Sequence, residues 1–415
     1  MSRRGFLGTS GAALAAAAIP AWLPKVVLAG DATSRDSLVV VFLRGGMDGL
    51  TAVAPYGDPN YYAANLRPAL AIAPPGSANG AIDLNGFFGF APALAPLLPA
   101  YQAGDLAVIH ATGSPDPTRS HFDAMSYMEF GIPLQPLNTV SGWLARHLLS
   151  VPPMAANHPL RGVIIDDLLP RSLAGAPNTL PIADPAGFSF PGRSISAAVR
   201  ADVIDADYAN ASQPLASAAM NTIDTIDLLH TIDFVNYAPA NGAVYPTSGF
   251  GMALKSIAAL LKADVGVEVA EADLGGWDTH AQQGPLTGEL AGLMSDLAGS
   301  LAAFHLDMQA RLGNVTLVVM SEFGRRADQN SSLGTDHGHG NCMFVMGGNV
   351  AGGRVIADWT SGELLHPDLL HDGDSLAVTI DYRDILAEIL QTRLQNNALD
   401  FVFPNYTPTF RGVIG

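Results

Sequence analysis

Lysine is nearly absent from this chain. In 415 residues it occurs only at Lys25, Lys255 and Lys262, and the net charge is −17. Nucleic-acid binding needs clustered cations that displace counterions from phosphates, so that class of partner is excluded. Cysteine is scarcer still. Cys342 stands alone, which rules out an internal disulfide and any cysteine-held iron–sulfur cluster. Past the first 29 residues no uninterrupted apolar run has the length of a membrane helix, so the mature chain is expected to have no transmembrane segment. The glycine spacing of a dinucleotide-binding turn is also missing, because Arg44–Gly49 does not follow it. There is no internal repeat.

What is present suits a large folded domain. The chain is 48% hydrophobic and only 14% charged, enough to bury a sizeable core. Ser2-Arg3-Arg4-Gly5-Phe6-Leu7 reads as a twin-arginine export signal, followed by a short apolar run at Gly11–Ile19. Val27-Leu28-Ala29 supplies small residues for cleavage, which puts residues 1–29 in the signal and starts the mature chain near Gly30. Residues 30–415 are read as one domain, placed in the periplasm or exported by a route that carries folded proteins.

Continuous β-branched runs predict strands buried on both faces of a parallel sheet. They occur at Ser37–Leu43, Leu106–His110, Val265–Ala270 and Asn314–Met320, with shorter ones at Gly162–Ile165 and Cys342–Met346. Apolar residues spaced by three and four predict helices at Phe122–Phe130, Phe250–Ala263, Leu286–Leu312 and Asp381–Leu394. Alternation of the two implies a doubly wound, mainly parallel α/β sheet with helices on both faces. Residues 131–248 change character and read as an irregular connecting or inserted segment.

Polar groups gather just after the strands. Asp48 follows the first, inside Arg44-Gly45-Gly46-Met47-Asp48-Gly49. Thr118, Arg119, Ser120 and His121 follow the second. Asp278 and His280 lie beyond the strand at Val265–Ala270. Glu322, Asp336, His337 and His339 follow Asn314–Met320. Ligands in such sheets collect outside the carboxyl ends of the strands. Carboxylates mixed with imidazoles form an oxygen–nitrogen donor set suited to a divalent metal. The expected cofactor is therefore one or two ions of zinc, manganese or calcium.

The segments FLRGGMDGL, RSHFDA, GGWDTH, SEFGR and GTDHGHG, in this order, resemble the exported bacterial family called domain of unknown function 1501, of the alkaline-phosphatase-like superfamily. The resemblance runs from about Asp36 to the C-terminus. It implies that Asp48 is similar to the superfamily's first metal-binding aspartate and that Asp278 and His280 resemble its downstream pair. Glu322 takes the strand-end aspartate position, and His337 or His339 resembles the late histidine. Phe323 stands where the superfamily has a histidine ligand.

The implied activity is metal-dependent hydrolysis of a phosphate or sulfate ester, small or polymer-borne. Ser120 or Thr118 would attack, Arg44 or Arg119 would clamp the oxyanion, and His121 would act as acid or base. The alternative is a non-catalytic exported binding or assembly protein that keeps the fold with an eroded site. The sequence leaves the oligomeric state open.

Overall fold

A computed structural model describes residues 36–134, 140–154, 158–190, 192, 197–208, 210–213, 215–359 and 362–415. The expected export signal and cleavage point lie outside the described residues. The strands of the main sheet are β1 (Ser37–Leu43), β2 (Leu106–Gly113), β3 (Gly162–Ile164), β4 (Thr179–Pro181), β5 (Val269–Leu274), β6 (Val315–Ser321), β7 (Asn341–Gly347), β8 (Arg354–Ile356) and β9 (Ile380–Asp381). The main helices are α1 (His121–Phe130), α2 (Trp143–Ser150), α3 (Ala197–Tyr208), α4 (Leu215–His230), α5 (Gly249–Ala263), α6 (Glu289–Met308) and α7 (Tyr382–Thr392).

The nine strands form one sheet in the order β8–β2–β7–β6–β1–β5–β3–β4, with β9 also pairing β2. β1 lies parallel to both β5 and β6. β7 is the exception, running antiparallel to β2 and β6. The expected mainly parallel α/β sheet is therefore the one observed.

Side-chain alternation along the strands explains the two helical layers. In β1, Val39, Val41 and Leu43 join a core with Leu254 and Ile257 of α5 and with Leu290, Met294 and Leu297 of α6. Leu38, Val40 and Phe42 join the opposite core, with Trp143 and Leu144 of α2 and Ile385 and Ile389 of α7. Each such side chain removed from water contributes about 1.5–3 kcal/mol. Cys342, at the start of β7, is buried and free. His305 on α6 is buried against Asp105 at 2.8 Å, a packing role. No helix among the described residues is long and apolar enough to cross a membrane.

One expectation needs correction. β5 begins and ends four residues later than the apolar run suggested, because Glu271 and Asp273 lie inside the strand. Their charges do not stop it: Glu271 accepts a hydrogen bond from Ser172, and Asp273 pairs with Arg44. Residues 131–248, read as a connecting or inserted segment, hold connecting helices and strands. They supply α2, α3 and α4, and β3 and β4 extend the main sheet beyond β5.

Candidate metal centre

The polar loops meet at one edge of the sheet because β1, β2, β5 and β6 all end there. β7 runs the other way, so the loop that leaves β6 at Ser321 re-enters the sheet at Asn341 on the same edge. Residues 322–340 must therefore stay over that edge. Within the loop, Arg325 and His337 form an antiparallel bridge. A Cβ on Gly338 would lie 2.2 Å from the carbonyl carbon of Arg325, so only glycine allows this approach. At the exit of β1, Gly45 has φ +121°, and a Cβ there would lie 2.7 Å from the backbone nitrogen of Asp278. Trp277 is buried, and its indole N–H donates to the Leu274 carbonyl at 2.9 Å. That bond fixes the turn that presents Asp278.

Four donor groups converge. His337 Nε2 lies 3.0 Å from His121 Nε2, 3.0 Å from His280 Nε2 and 3.0 Å from Asp278 Oδ1. Asp278 Oδ1 is also 3.4 Å from His121 Nε2 and 2.9 Å from His280 Nε2. Among the described residues, His121, Asp278 and His337 form the group whose donor atoms all lie within 4.8 Å of one another. His280 joins through His337 and Asp278.

The other ring nitrogen of each histidine is committed outward. His121 Nδ1 donates to Glu322 Oε1 at 2.7 Å, His280 Nδ1 to Asp336 Oδ1 at 3.0 Å, and His337 Nδ1 to the Arg119 carbonyl at 2.7 Å. In the neutral rings this places all three Nε2 lone pairs on the inside. Lone pairs at such spacing repel unless a cation lies among them. Metal-binding histidines are oriented in this way, with the outer N–H held by a carboxylate or carbonyl. A tetrahedral zinc with bonds of 2.0–2.1 Å separates its ligand atoms by about 3.3–3.4 Å. The observed 2.9–3.4 Å approaches that spacing, so the donor set fits a divalent ion.

Electrostatics favour an ionised Asp278 and a neutral His337, and pull His121 the other way. Burial disfavours the charge on Asp278, but the Arg325 guanidinium at 2.6 Å, with His280 and His121, outweighs it and holds the carboxyl down at about 2. The bond from Glu322 raises His121 above the ordinary imidazole value, against its burial. Burial lowers His337, only partly offset by the Arg119 carbonyl. Asp336 is held low by Asn330 and then by His280, with burial opposing.

The structure sorts the expected site residues. His121, Asp278, His280 and His337 come together as donors. Glu322 and Asp336 stand one layer out, orienting imidazoles. Phe323 packs its ring 4.7 Å from that of His121 and 5.2 Å from that of His337, forming an apolar floor.

The remaining residues are corrected by their surroundings. Asp48 takes no part: it is buried and receives bonds from Arg67, Thr51 and Gln283. Ser120 caps α1 by accepting from the Asp123 N–H, and the Thr118 hydroxyl accepts from the Ser120 N–H. Neither hydroxyl bonds to a basic side chain. Arg44 is engaged by Asp273 and Glu129. Arg119 grips Asp374 bidentately at 2.6 and 2.9 Å and contributes only its carbonyl. His339 stacks on His371 with ring centroids 4.0 Å apart, and burial lowers its pKa to about 4.

Sequence reasoning passed over Arg325, which is buried and joins Asp278 to Thr335. From Thr335 the contacts continue through Gln283 to Asp48. The one available signal was its place in SEFGR, right after the strand-end glutamate.

A search of curated proteins gives no match in sequence. Among solved structures, the chain is similar to the C-terminal periplasmic domain of EcEptC from Escherichia coli in complex with zinc. Identity is 11%, the TM-score 0.38, and coverage 92% of this chain and 90% of that one. It is also similar to the lipoteichoic acid synthase LtaP from Listeria monocytogenes, with 9% identity, a TM-score of 0.34 and coverage of 83% and 74%. A TAB5 alkaline phosphatase mutant with magnesium bound gives 9% identity, a TM-score of 0.31 and coverage of 76% and 93%. The family described as "Protein of unknown function (DUF1501)" matches residues 110–396, a stretch holding four of the five segments noted above and leaving FLRGGMDGL outside. The chain belongs to this family.

Proposed function

We propose that this DUF1501 protein is a metal-dependent hydrolase of phosphate or sulfate esters, exported by the twin-arginine route. The observation that supports the reading best is the set of three inward Nε2 lone pairs beside Asp278 Oδ1. His121, Asp278, His280 and His337 would hold the ion. Three nitrogens in four donors favour zinc or manganese over calcium, which takes oxygen ligands. When bound, such an ion polarises an ester oxygen and lowers the pKa of an attacking water.

The protein's own residues set the stage. Glu322, Asp336 and the Arg119 carbonyl fix each imidazole in one tautomer. Arg325 keeps Asp278 ionised. Phe323 excludes water beneath two of the rings. With Ser120 and Thr118 both used in backbone caps, water is the better-supported nucleophile. The substrate would be a small or polymer-borne ester approaching from the open side, where the Asp278 and His280 side chains are each 43% exposed.

The test is to strip the purified protein with a chelator, reload it with zinc or manganese, and assay aryl phosphate and aryl sulfate. Turnover should return with metal and vanish in His337→Ala. A protein that binds metal yet hydrolyses neither ester is instead the non-catalytic binding protein. One that binds no metal removes the site altogether.

A further inference from the structure

A carboxylate outside the donor cluster stands directly behind it. Asp374 lies in a closed turn. The His371 N–H donates to the Ser375 carbonyl at 2.8 Å, the Ser375 N–H donates to the His371 carbonyl at 3.1 Å, and Gly373 between them has φ +75°. Glycine takes that conformation without strain. The buried Ser375 hydroxyl donates to Asp374 Oδ1 at 2.6 Å. The turn therefore aims the carboxylate.

Two arginines meet it. Arg119 donates to both oxygens, at 2.6 and 2.9 Å, and Arg326 Nε comes within 3.2 Å of Oδ2. Each arginine belongs to a strip of chain that serves the donors. Arg119 stands two residues before His121, and its carbonyl accepts the His337 Nδ1–H at 2.7 Å. Arg326 follows Arg325, which grips Asp278, and its N–H donates to the Asp336 carbonyl beside His337. Backbone contacts close the same join. The Ala327 N–H donates to the Asp374 carbonyl at 2.8 Å, and Arg326 forms an antiparallel bridge with Ser375. One residue thus ties together the segments that present His121, Asp278 and His337. His280 is held separately, by Asp336 at its ring and by Asn330 at its carbonyl.

A lone exposed ion pair adds little and tolerates many arrangements. A bidentate grip is different, because it fixes the plane of the guanidinium as well as its distance. Arg119 has its head held by Asp374 and its carbonyl by His337, so placing the one places the other. Groups behind a metal-binding imidazole set its tautomer and its aim.

We infer that Asp374 is a positioning residue of the metal centre. It acts through Arg119 on His337 and His121, and through the Arg326 strip on Asp278, and it touches neither metal nor substrate. The inference rests on the proposed metal reading for its effect on the ion, but not for its effect on the His337 ring.

The test uses the full protein and Asp374→Asn, which keeps the side chain's shape but cannot serve both arginines. The first measurement needs no metal. Long-range proton–nitrogen NMR on the metal-free protein should show His337 as the Nδ1–H tautomer, and Asp374→Asn should turn it into a mixture of both. The second is zinc affinity by competition with a chelating dye. Asp374→Asn should lower it about 10–100-fold, and Asp374→Glu should recover part of the loss. The cobalt-loaded variant should also lose intensity in its visible bands, as water replaces a loosened imidazole. Asp36→Asn, which breaks the Arg393 pair at the opposite edge of the sheet, should change neither readout. If the His337 tautomer in Asp374→Asn matches the native one, or shifts equally in Asp36→Asn, the positioning role is overturned, whatever happens to zinc. If the tautomer shifts but zinc affinity stays within about 3-fold, the role does not reach the metal and the inference is overturned. If the tautomer shifts and the native protein binds no zinc, the hold on His337 stands and the metal reading falls.

Discussion

Asp48 and Asp278 are both aspartates just past the carboxyl ends of neighbouring strands, and both sit on the same hydrogen-bond chain. It runs from Asp48 through Gln283, Thr335 and Arg325 to Asp278. Their surroundings make them opposites. Asp48 is 1% exposed and Arg67 0%, and Arg67 spends its remaining N–H groups on the carbonyls of Ala327 and Arg326. Nothing there is left for a ligand. Asp278 is 43% exposed and turns one oxygen toward three imidazoles. A strand-end carboxylate is a site only when its partners leave it unsealed.

The sharpest way to break this comparison is to make the same change at both ends. Asp48→Asn should cost about 3–5 kcal/mol, since removing one partner leaves the buried Arg67 charge uncompensated. Denaturant unfolding would measure it, and a loss below about 1 kcal/mol would show the knot to be dispensable. Asp278→Asn should cost less, about 1–3 kcal/mol, because buried Arg325 also loses its carboxylate but the half-open site admits water. Its metal affinity should fall about 1,000-fold, equivalent to about 4 kcal/mol. Competition with a chelating dye checks this.

Acid should strain the sealed end. His110 is fully buried next to that knot, and burial holds its pKa down at about 4. The unfolded chain takes up a proton below pH 6.5 that the folded chain refuses until about 4. Stability is therefore full above pH 6.5 and falls by about 3 kcal/mol on the way down to pH 4. His110→Gln should flatten that part of the stability–pH curve. An unchanged slope would assign the acid lability elsewhere.

Legibility followed the same division. β1, β2, β6 and β7 were readable because strands buried on both faces are uniformly apolar. β5 was misplaced because its two acids, Glu271 and Asp273, are sheltered by partners far away in sequence. The donor histidines were readable as strand-end loops rich in His and Asp. His121 was found but given a proton-transfer role, since only folding brings it beside His337. Arg67 and Arg325 were invisible as partners: an ion pair across 19 or 47 residues leaves no spacing to detect. Asp48 reads as a donor from its strand-end place as well as its family position, and Arg67, in an irregular loop, decides its role.

Two smaller effects refine the open end. Asp336→Asn removes the carboxylate behind His280 and should weaken metal binding by about 10–100-fold, as loss of an outer partner does. A change below about 3-fold would demote His280 from the donor set. Ser120→Ala should cost about 1 kcal/mol through loss of the α1 cap, with turnover largely kept. If Ser120→Ala instead abolishes turnover while metal remains bound, its hydroxyl is the nucleophile.

Burial pushes the Cys342 thiol far above its ordinary pKa, so almost no thiolate exists at neutral pH. With no second thiol to find, the fold is indifferent to whether its surroundings are reducing or oxidising. The same shape can be completed in one compartment and used in another. The silent thiol also makes the protein a ready host for spectroscopic labels. A cysteine introduced at exposed Ser332 would be the sole reactive sulfur, reporting on the loop above the candidate metal centre with Cys342 left in place.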